Sequence, residues 1–284
     1  MLVFAAACRQ ALGIDTHFIE ATDSSVLSDV GEPDSAVTPN RFCDAVAPKP
    51  TFCADFDGEE PKEGFYISNP DKGIFGGATL TFTEQNVRSA PRIASFSLPT
   101  LLTDTSFASG MLITTLSPQP PPTFTLKLDF RIEQENFPEG KGRVDLVRIT
   151  FGKDMGAIAV FRNYAGLNLE VYTGMESVAR TAFTSKVGPG SWHTLSLLVH
   201  NYAAPNNWND AGIVGDASIP EGSGEVFALL GGLEAKLPLP PRVQTSKEPV
   251  NFDFGALTGR GPIEAFVVHL DNIVLDAPDS IEPQ

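Results

Sequence analysis

Glu133 and Glu135 stand two apart, and residues so spaced on a strand share one face. Retaining glycoside hydrolysis needs two carboxyls about 5–5.5 Å apart, so this pair is the first candidate for chemistry. It falls where an alternating segment runs into the polar turn around Pro138, and a solvated strand end is the expectation there. Trp208 sits between amides in NNWND, where its ring could stack on a sugar while Asn207 and Asn209 bond the hydroxyls. The competing reading is a ring that pins its own loop. Trp192 opens a strand and is expected in the core. His269 and Asp271 share a strand parity and could form a hydrogen-bonded pair. The four histidines show no H-x-H or H-E-x-x-H spacing, which gives zinc no motif. No serine lies in G-x-S-x-G, so a nucleophile elbow is not expected. No catalytic residue is assigned.

The elements that would position these groups are strands. Phe124, Leu126, Leu128, Phe130 and Ile132 alternate with Thr125, Lys127, Asp129, Arg131 and Glu133. That period of two marks a half-buried strand with one apolar and one polar face. Leu167–Val171, Leu195–Val199, Val250–Phe254 and Phe266–Leu270 repeat it, and 80–82, 146–151, 157–161 and 226–230 are further candidates. Gly and Pro punctuate the gaps, notably at Pro138–Gly142 and Gly188–Gly190. Many strands with almost no helical period predict an all-β fold, an antiparallel β-sandwich. Residues 203–224, rich in Asn, Asp and Gly, break the pattern and read as a surface insertion.

The 35 acidic against 20 basic residues leave a net charge of −15, which opposes nucleic-acid binding and docking on anionic lipid. No apolar run reaches the length of a membrane span. The start MLVFAAAC resembles the end of a bacterial lipoprotein signal, with small residues before Cys8, though it lacks a basic start. Cys8 is therefore a lipidation candidate, an unmodified buried cysteine being the alternative. A lipid anchor would be the chain's link to a membrane, with outer-membrane or cell-surface placement expected, and a periplasmic or secreted protein otherwise. Export favours oxidation, and Cys43 and Cys53 flank Pro48 and Pro50 in a turn-rich span, so they are expected to pair as a disulfide. The resulting organisation is a truncated signal over 1–8, an acidic flexible tether over 9–42, the sandwich over 43–278 and a short tail over 279–284.

The segments FCADFDG (52–58), RSAPRIASFSLP (88–99), SWHTLSLLVHN (191–201) and VVHLDNIVLD (267–276), in this order, resemble the concanavalin A-like lectin/glucanase superfamily. The resemblance spans roughly 50–278 and implies a jelly roll of the kind shared by laminin G-like domains and family 16 glucanases. The glucanases' E-x-D-x-x-E pattern does not occur; the strand expected to carry it, VDLVRITFG, has Asp145 as its one acid. The resemblance also implies a structural calcium, with Asp271 as last-strand ligand and Asp55 or Asp57 from the first strand. Asp271 is opposite in parity to Phe266, Val268 and Leu270 and should point away from the core; an Asp capping local amides is the alternative. The expected function is a non-catalytic extracytoplasmic module binding glycan or cell-surface polysaccharide. A divergent glycan-cleaving enzyme and a structural or adhesive protein-binding module are the alternatives, since one fold serves many functions.

Overall fold

The computed structural model describes residues 41–65, 74–89, 91–103, 105–116, 123–138, 141–152, 156–173, 176–183, 187–200, 224–240 and 249–277. Among the described residues, alternation at period two becomes fifteen antiparallel strands, preceded by the four-residue helix α1 (Phe42–Ala45). They are β1 (Phe52–Ala54), β2 (Ile74–Phe75), β3 (Thr79–Thr83), β4 (Ile93–Leu98), β5 (Phe107–Leu116), β6 (Thr123–Gln134), β7 (Arg143–Phe151) and β8 (Ala157–Asn163). There follow β9 (Gly166–Thr173), β10 (Glu176–Ala182), β11 (Trp192–His200), β12 (Glu225–Leu230), β13 (Leu233–Pro238), β14 (Val250–Arg260) and β15 (Phe266–Asp276).

The strands form two sheets. The eight-stranded sheet runs β13-β12-β11-β6-β15-β4-β3, with β1 paired to the far end of β15; the seven-stranded sheet runs β10-β9-β8-β7-β14-β5-β2. The apolar parity of each strand faces inward. Phe124, Leu126, Leu128 and Phe130 of β6, and Leu195, Leu197 and Val199 of β11, join Phe252 and Phe254 of β14, Ile149 and Phe151 of β7 and Leu167 and Leu169 of β9 in one core. Each such side chain, fully buried, contributes roughly 1.5–3 kcal/mol. Phe124 and Phe252 meet edge to face with centroids 5.4 Å apart, which joins the two sheets. This is the expected antiparallel sandwich.

Several register shifts break the alternation, and two of them place charged groups on the outer faces. On β7 the pairing with β8 shifts between Asp145 and Val147, so Leu146 is an extra residue. On β15 the pairing with β6 shifts between Asp271 and Val274, and Asn272 there takes a positive φ of 49°. Cys43 and Cys53 are joined as a disulfide with Cα atoms 5.8 Å apart, tying α1 to β1 as the spacing predicted. Arg41 donates to Asp55 at 3.1 Å, so Arg41 and Phe42, placed in the tether by sequence, belong with the sandwich. Residues 39–284 form one compact unit. Cys8 lies outside the described residues.

Gly255 on β14 shows how closely the sheets approach. Its φ is +135°, and a Cβ there would lie 2.5 Å from the Gly110 carbonyl and 2.7 Å from the Phe96 ring. Gly255→Ala is expected to cost about 2–3 kcal/mol in urea unfolding, through backbone strain and overpacking together. An unchanged midpoint would show that β14 does not sit as described.

Candidate functional site: the outer face of the seven-stranded sheet

A strand's second face normally carries solvated polar residues. On the seven-stranded sheet it carries instead a set of charged and aromatic groups that are largely buried. Strand register arranges them in four rows across the strands. Thr115, Asn251, Thr150, Ala157, Tyr172 and Ser177 form the first. Ile113, Asp253, Arg148, Ala159, Glu170 and Arg180 form the second. Asp145, Phe161, Asn168 and Ala182 lie in the third, and Arg143, Asn163 and Gly166 are in register in the fourth.

Asp145 is the hinge of the set. Its Oδ1 accepts from Arg143 Nε at 2.5 Å and its Oδ2 from Arg148 Nη2 at 2.7 Å. Arg143 also donates through Nη1 to Glu170, and its guanidinium lies 3.8 Å from the centre of the Phe161 ring. Arg180 reaches the same ring at 4.8 Å and donates to Asn168 Oδ1 at 3.2 Å. The bulge makes this possible. Without it Arg143 and Asp145 would face one side of β7 and Arg148 the other; the extra Leu146 returns Arg148 to the outer face.

The electrostatics follow from burial. Burial works against the Arg148 and Arg143 charges, and Asp145 more than restores them, so both guanidiniums hold their protons more tightly than usual. Burial pushes Asp253 up to about 6 although Arg148 draws it back. Burial likewise raises the Tyr172 phenol, with Arg148 opposing. The acids lie beneath: the side chains of Asp145 and Glu170 are 3% and 8% exposed, those of Arg143 and Arg148 30% and 28%. A ligand on this face therefore meets guanidinium edges first. Such edges pair bidentately with carboxylates and also bond hydroxyls.

No protein-family model matches the chain, and no curated protein sequence matches it. Solved structures do. The endo-β-1,4-glucuronan lyase of Trichoderma reesei superposes with a TM-score of 0.54 at 9% identity, covering 80% of this chain and 95% of that one. The cellulose-induced protein Cip1 gives a TM-score of 0.50 at 9% identity, covering 80% and 97%. The alginate lyase vAL-1 of a Chlorella virus gives 0.48 at 11% identity, covering 71% and 89%. At these identities the likeness to the first two establishes the fold, a jelly-roll sandwich, and nothing finer.

The residues singled out by sequence are scattered. Trp208, Asn207 and Asn209 lie outside the described residues. Glu133 and Glu135 do not converge: Glu133 pairs with Arg131 at 2.7 Å, and Glu135 is held bidentately by Arg162 at 2.6 Å. His269 stands 3.9 Å from Glu133 on the eight-stranded sheet, while Asp271, with which it could have paired, is bonded to Ser89 and Asn272. Trp192 is not core. Its parity puts it on the outer face of the eight-stranded sheet, where Nε1 donates to the Asn86 carbonyl at 3.0 Å. Arg143, Arg148, Asn168, Glu170 and Tyr172 form no motif in the sequence, where the polar parity of β9 implies only a polar face.

Asp55, Asp57 and Asp271 are drawn into one neighbourhood. Asp271 does point away from the core, but it is fully buried under the segment that carries Ser89. Its Oδ2 meets Ser89 N and Oγ, each at 2.8 Å, and its Oδ1 accepts from Asn272 N. Burial pushes Asp271 up to about 7, and the nearby Asp57 charge adds to the rise. The hydrogen bonds agree with a proton there. Asn272 Nδ2 donates to Asp129, so Asn272 Oδ1 faces Ser89 Oγ at 3.0 Å. One serine proton cannot serve both Asn272 Oδ1 and Asp271 Oδ2; a protonated Asp271 satisfies both. Asp57 is raised to about 6, chiefly by burial, and its Oδ2 is buried without a partner.

These acids do not form a cation cage as placed. Asp55 is used by Arg41 and the Cys43 and Asp57 amides, and Arg92 Nη2 holds the Asp57 and Gly58 carbonyls. Among the described residues no three His, Cys, Asp or Glu side chains are grouped to hold a metal.

The sign of the pH effect is fixed. A carboxyl raised in the folded state costs nothing below its ordinary value near 3.9 and destabilises progressively as pH climbs to about 7. His193 and His269, both lowered by burial, tilt the whole curve the other way, so the informative quantity is a difference. Relative to Asp271→Asn, the parent is expected to lose a few kcal/mol between about pH 4 and pH 7 and nothing more above. Parallel urea curves for the two proteins across that range would refute a raised Asp271. Millimolar calcium added at about pH 8 tests the calcium expectation: a stabilisation present in the parent and absent from Asp271→Asn supports it, and none removes it.

Proposed function

We propose that the protein binds an acidic polysaccharide, a polyuronate, on the outer face of the seven-stranded sheet. The observation that carries this is the layering of charge, with Arg143 and Arg148 lying outside the acids buried beneath them. A uronate carboxylate can take the outer guanidinium edges without breaking the inner ion pairs, and the site is held rigid before binding. With a net charge of −15 on the whole chain, an arginine-edged patch is also the place where an anion would be steered. The fold shared with a glucuronan lyase supports a carbohydrate ligand. The disulfide supports an extracytoplasmic location. Anchoring through a lipid on Cys8 is part of the same proposal.

Cleavage by β-elimination is the second reading, favoured by Tyr172 lying one row from Arg148. Arg148 would neutralise the uronate carboxylate. A phenolate would take the C5 proton as the C4–O bond breaks and a C4=C5 double bond forms, and the phenol would return a proton to the leaving oxygen. The raised Tyr172 pKa leaves little phenolate at neutral pH, which is why binding is placed first.

Titration with alginate, glucuronan and neutral glucans tests both. The parent is expected to prefer the polyuronates, more so at low salt. Arg148→Gln should weaken that binding about tenfold, the worth of one charge-assisted hydrogen bond. Equal affinity for a neutral glucan, or no polyuronate binding, would contradict the proposal. Growth of ultraviolet absorbance from an unsaturated uronate, lost in Tyr172→Phe, would select the second reading.

A further inference from the structure

A cavity of about 300 Å³ opens at the end of the same sheet, lined by Glu135, Asn136, Phe137, Arg162, Asn163 and Tyr164. It abuts the fourth row, since Asn163 pairs directly with Arg143. Its walls are fixed before anything binds. Arg162 and Glu135 form a fork-to-fork ion pair with both distances 2.6 Å, and their side chains are only 14% and 11% exposed. Phe137 packs on Phe266 with centroids 6.0 Å apart, and the Asn136 carbonyl accepts from Glu264 N at 3.0 Å.

Tyr164 is the unusual member. It sits in the turn between β8 and β9 and is 58% exposed, among the few large apolar side chains so placed. The turn that presents it is built by Asn163, whose Oδ1 accepts from Ala165 N at 3.0 Å and from Asn168 Nδ2 at 3.2 Å. Asn168 in turn receives Arg180. A continuous polar path thus links the tyrosine turn to the arginines on the sheet.

An exposed aromatic ring beside a rigid wall of amide, carboxylate and guanidinium suits a pyranose. The apolar face of the sugar covers the ring, and its hydroxyls meet donors and acceptors whose positions are already set. The ion pair neutralises its own charge, so this subsite does not demand a uronate. We propose that the cavity is a terminal glycosyl subsite, in which one sugar unit of the bound polysaccharide stacks on Tyr164. This rests on the glycan reading of the sheet face and extends it by giving the chain a direction. The chain runs from the guanidinium edges of β7 toward the β8–β9 turn. Asn163 lies one strand over and four residues along from the partner of Arg148, a span of roughly 14 Å from strand spacing and rise. An oligosaccharide held at Arg148 reaches the cavity only when it spans that distance, and it then gains the second contact at high effective concentration.

Calorimetric titration with a ladder of polyuronate oligosaccharides tests this on the parent, Tyr164→Ala, Tyr164→Phe and Arg148→Gln. In Tyr164→Ala, affinity for the longer oligosaccharides is expected to fall about five- to tenfold, with the shortest unchanged. Tyr164→Phe, which keeps the ring, should bind as the parent does, and the unfolding midpoint should not move because the side chain is exposed. If Tyr164→Ala binds every length as the parent does while Arg148→Gln still weakens binding, the subsite is wrong and the sheet-face reading stands. If the parent binds no oligosaccharide of any length, both fall together.

Discussion

The single extra residue at Leu146 is the constraint on which the rest of the site depends. Strict alternation along β7 would separate Arg148 from Asp145 and drive a guanidinium into a core of Phe, Leu and Val, at a cost of several kcal/mol. The bulge turns Leu146 and Val147 both to the apolar side and returns Arg148 to the outer face. Asp145 can then bridge two arginines, one to each oxygen. From that bridge follow the position of Arg143 over Phe161, its bond to Glu170 and the outward presentation of the guanidinium edges.

The second bulge, at Asn272, does related work on the other sheet with the opposite charge balance. It keeps Asp271 and Asn272 together on the outer side while Ile273 and Leu275 return to the core. Here the acids outnumber their partners, and burial answers the excess by raising the proton affinity of Asp271 and Asp57, with hydrogen bonds from Ser89 to Asp271. The result clamps the segment carrying Ser89 onto β15, far along the chain, and Trp192 holds Asn86 of the same segment. The two outer faces therefore differ in kind. One is roofed in part, around Asp271 and Trp192, by its own chain, and the other presents charge outward.

Much of the sandwich was legible in the sequence, because alternation of Phe124 to Ile132 or Leu195 to Val199 states directly which side of a strand is buried. The Cys43–Cys53 disulfide was legible too, from spacing and the turn residues between. The candidate site was not. A bulge adds one residue and leaves no compositional mark, so the run from Arg143 to Arg148 reads as an irregular strand with a lone acid. Asn168, Glu170 and Tyr172 stood in plain alternation, yet burial of the polar side depends on neighbouring strands that sequence does not order. The usable signal was opposite charge at close spacing, Arg143, Asp145 and Arg148 within six residues of a strand. Trp192 misled for a simpler reason: its parity matches Thr194 and Ser196, not Leu195.

On the proposed reading, ligand meets the seven-stranded sheet at the Arg143–Asp145–Arg148 bridge. The most direct test is a crystal structure of the protein soaked with a uronate oligosaccharide. Density is expected to cross β14, β7, β8 and β9, with a sugar carboxylate in hydrogen-bond contact with Arg143 or Arg148 and the Asp145 bridge intact. Density on the eight-stranded sheet, with the arginines untouched, would contradict it.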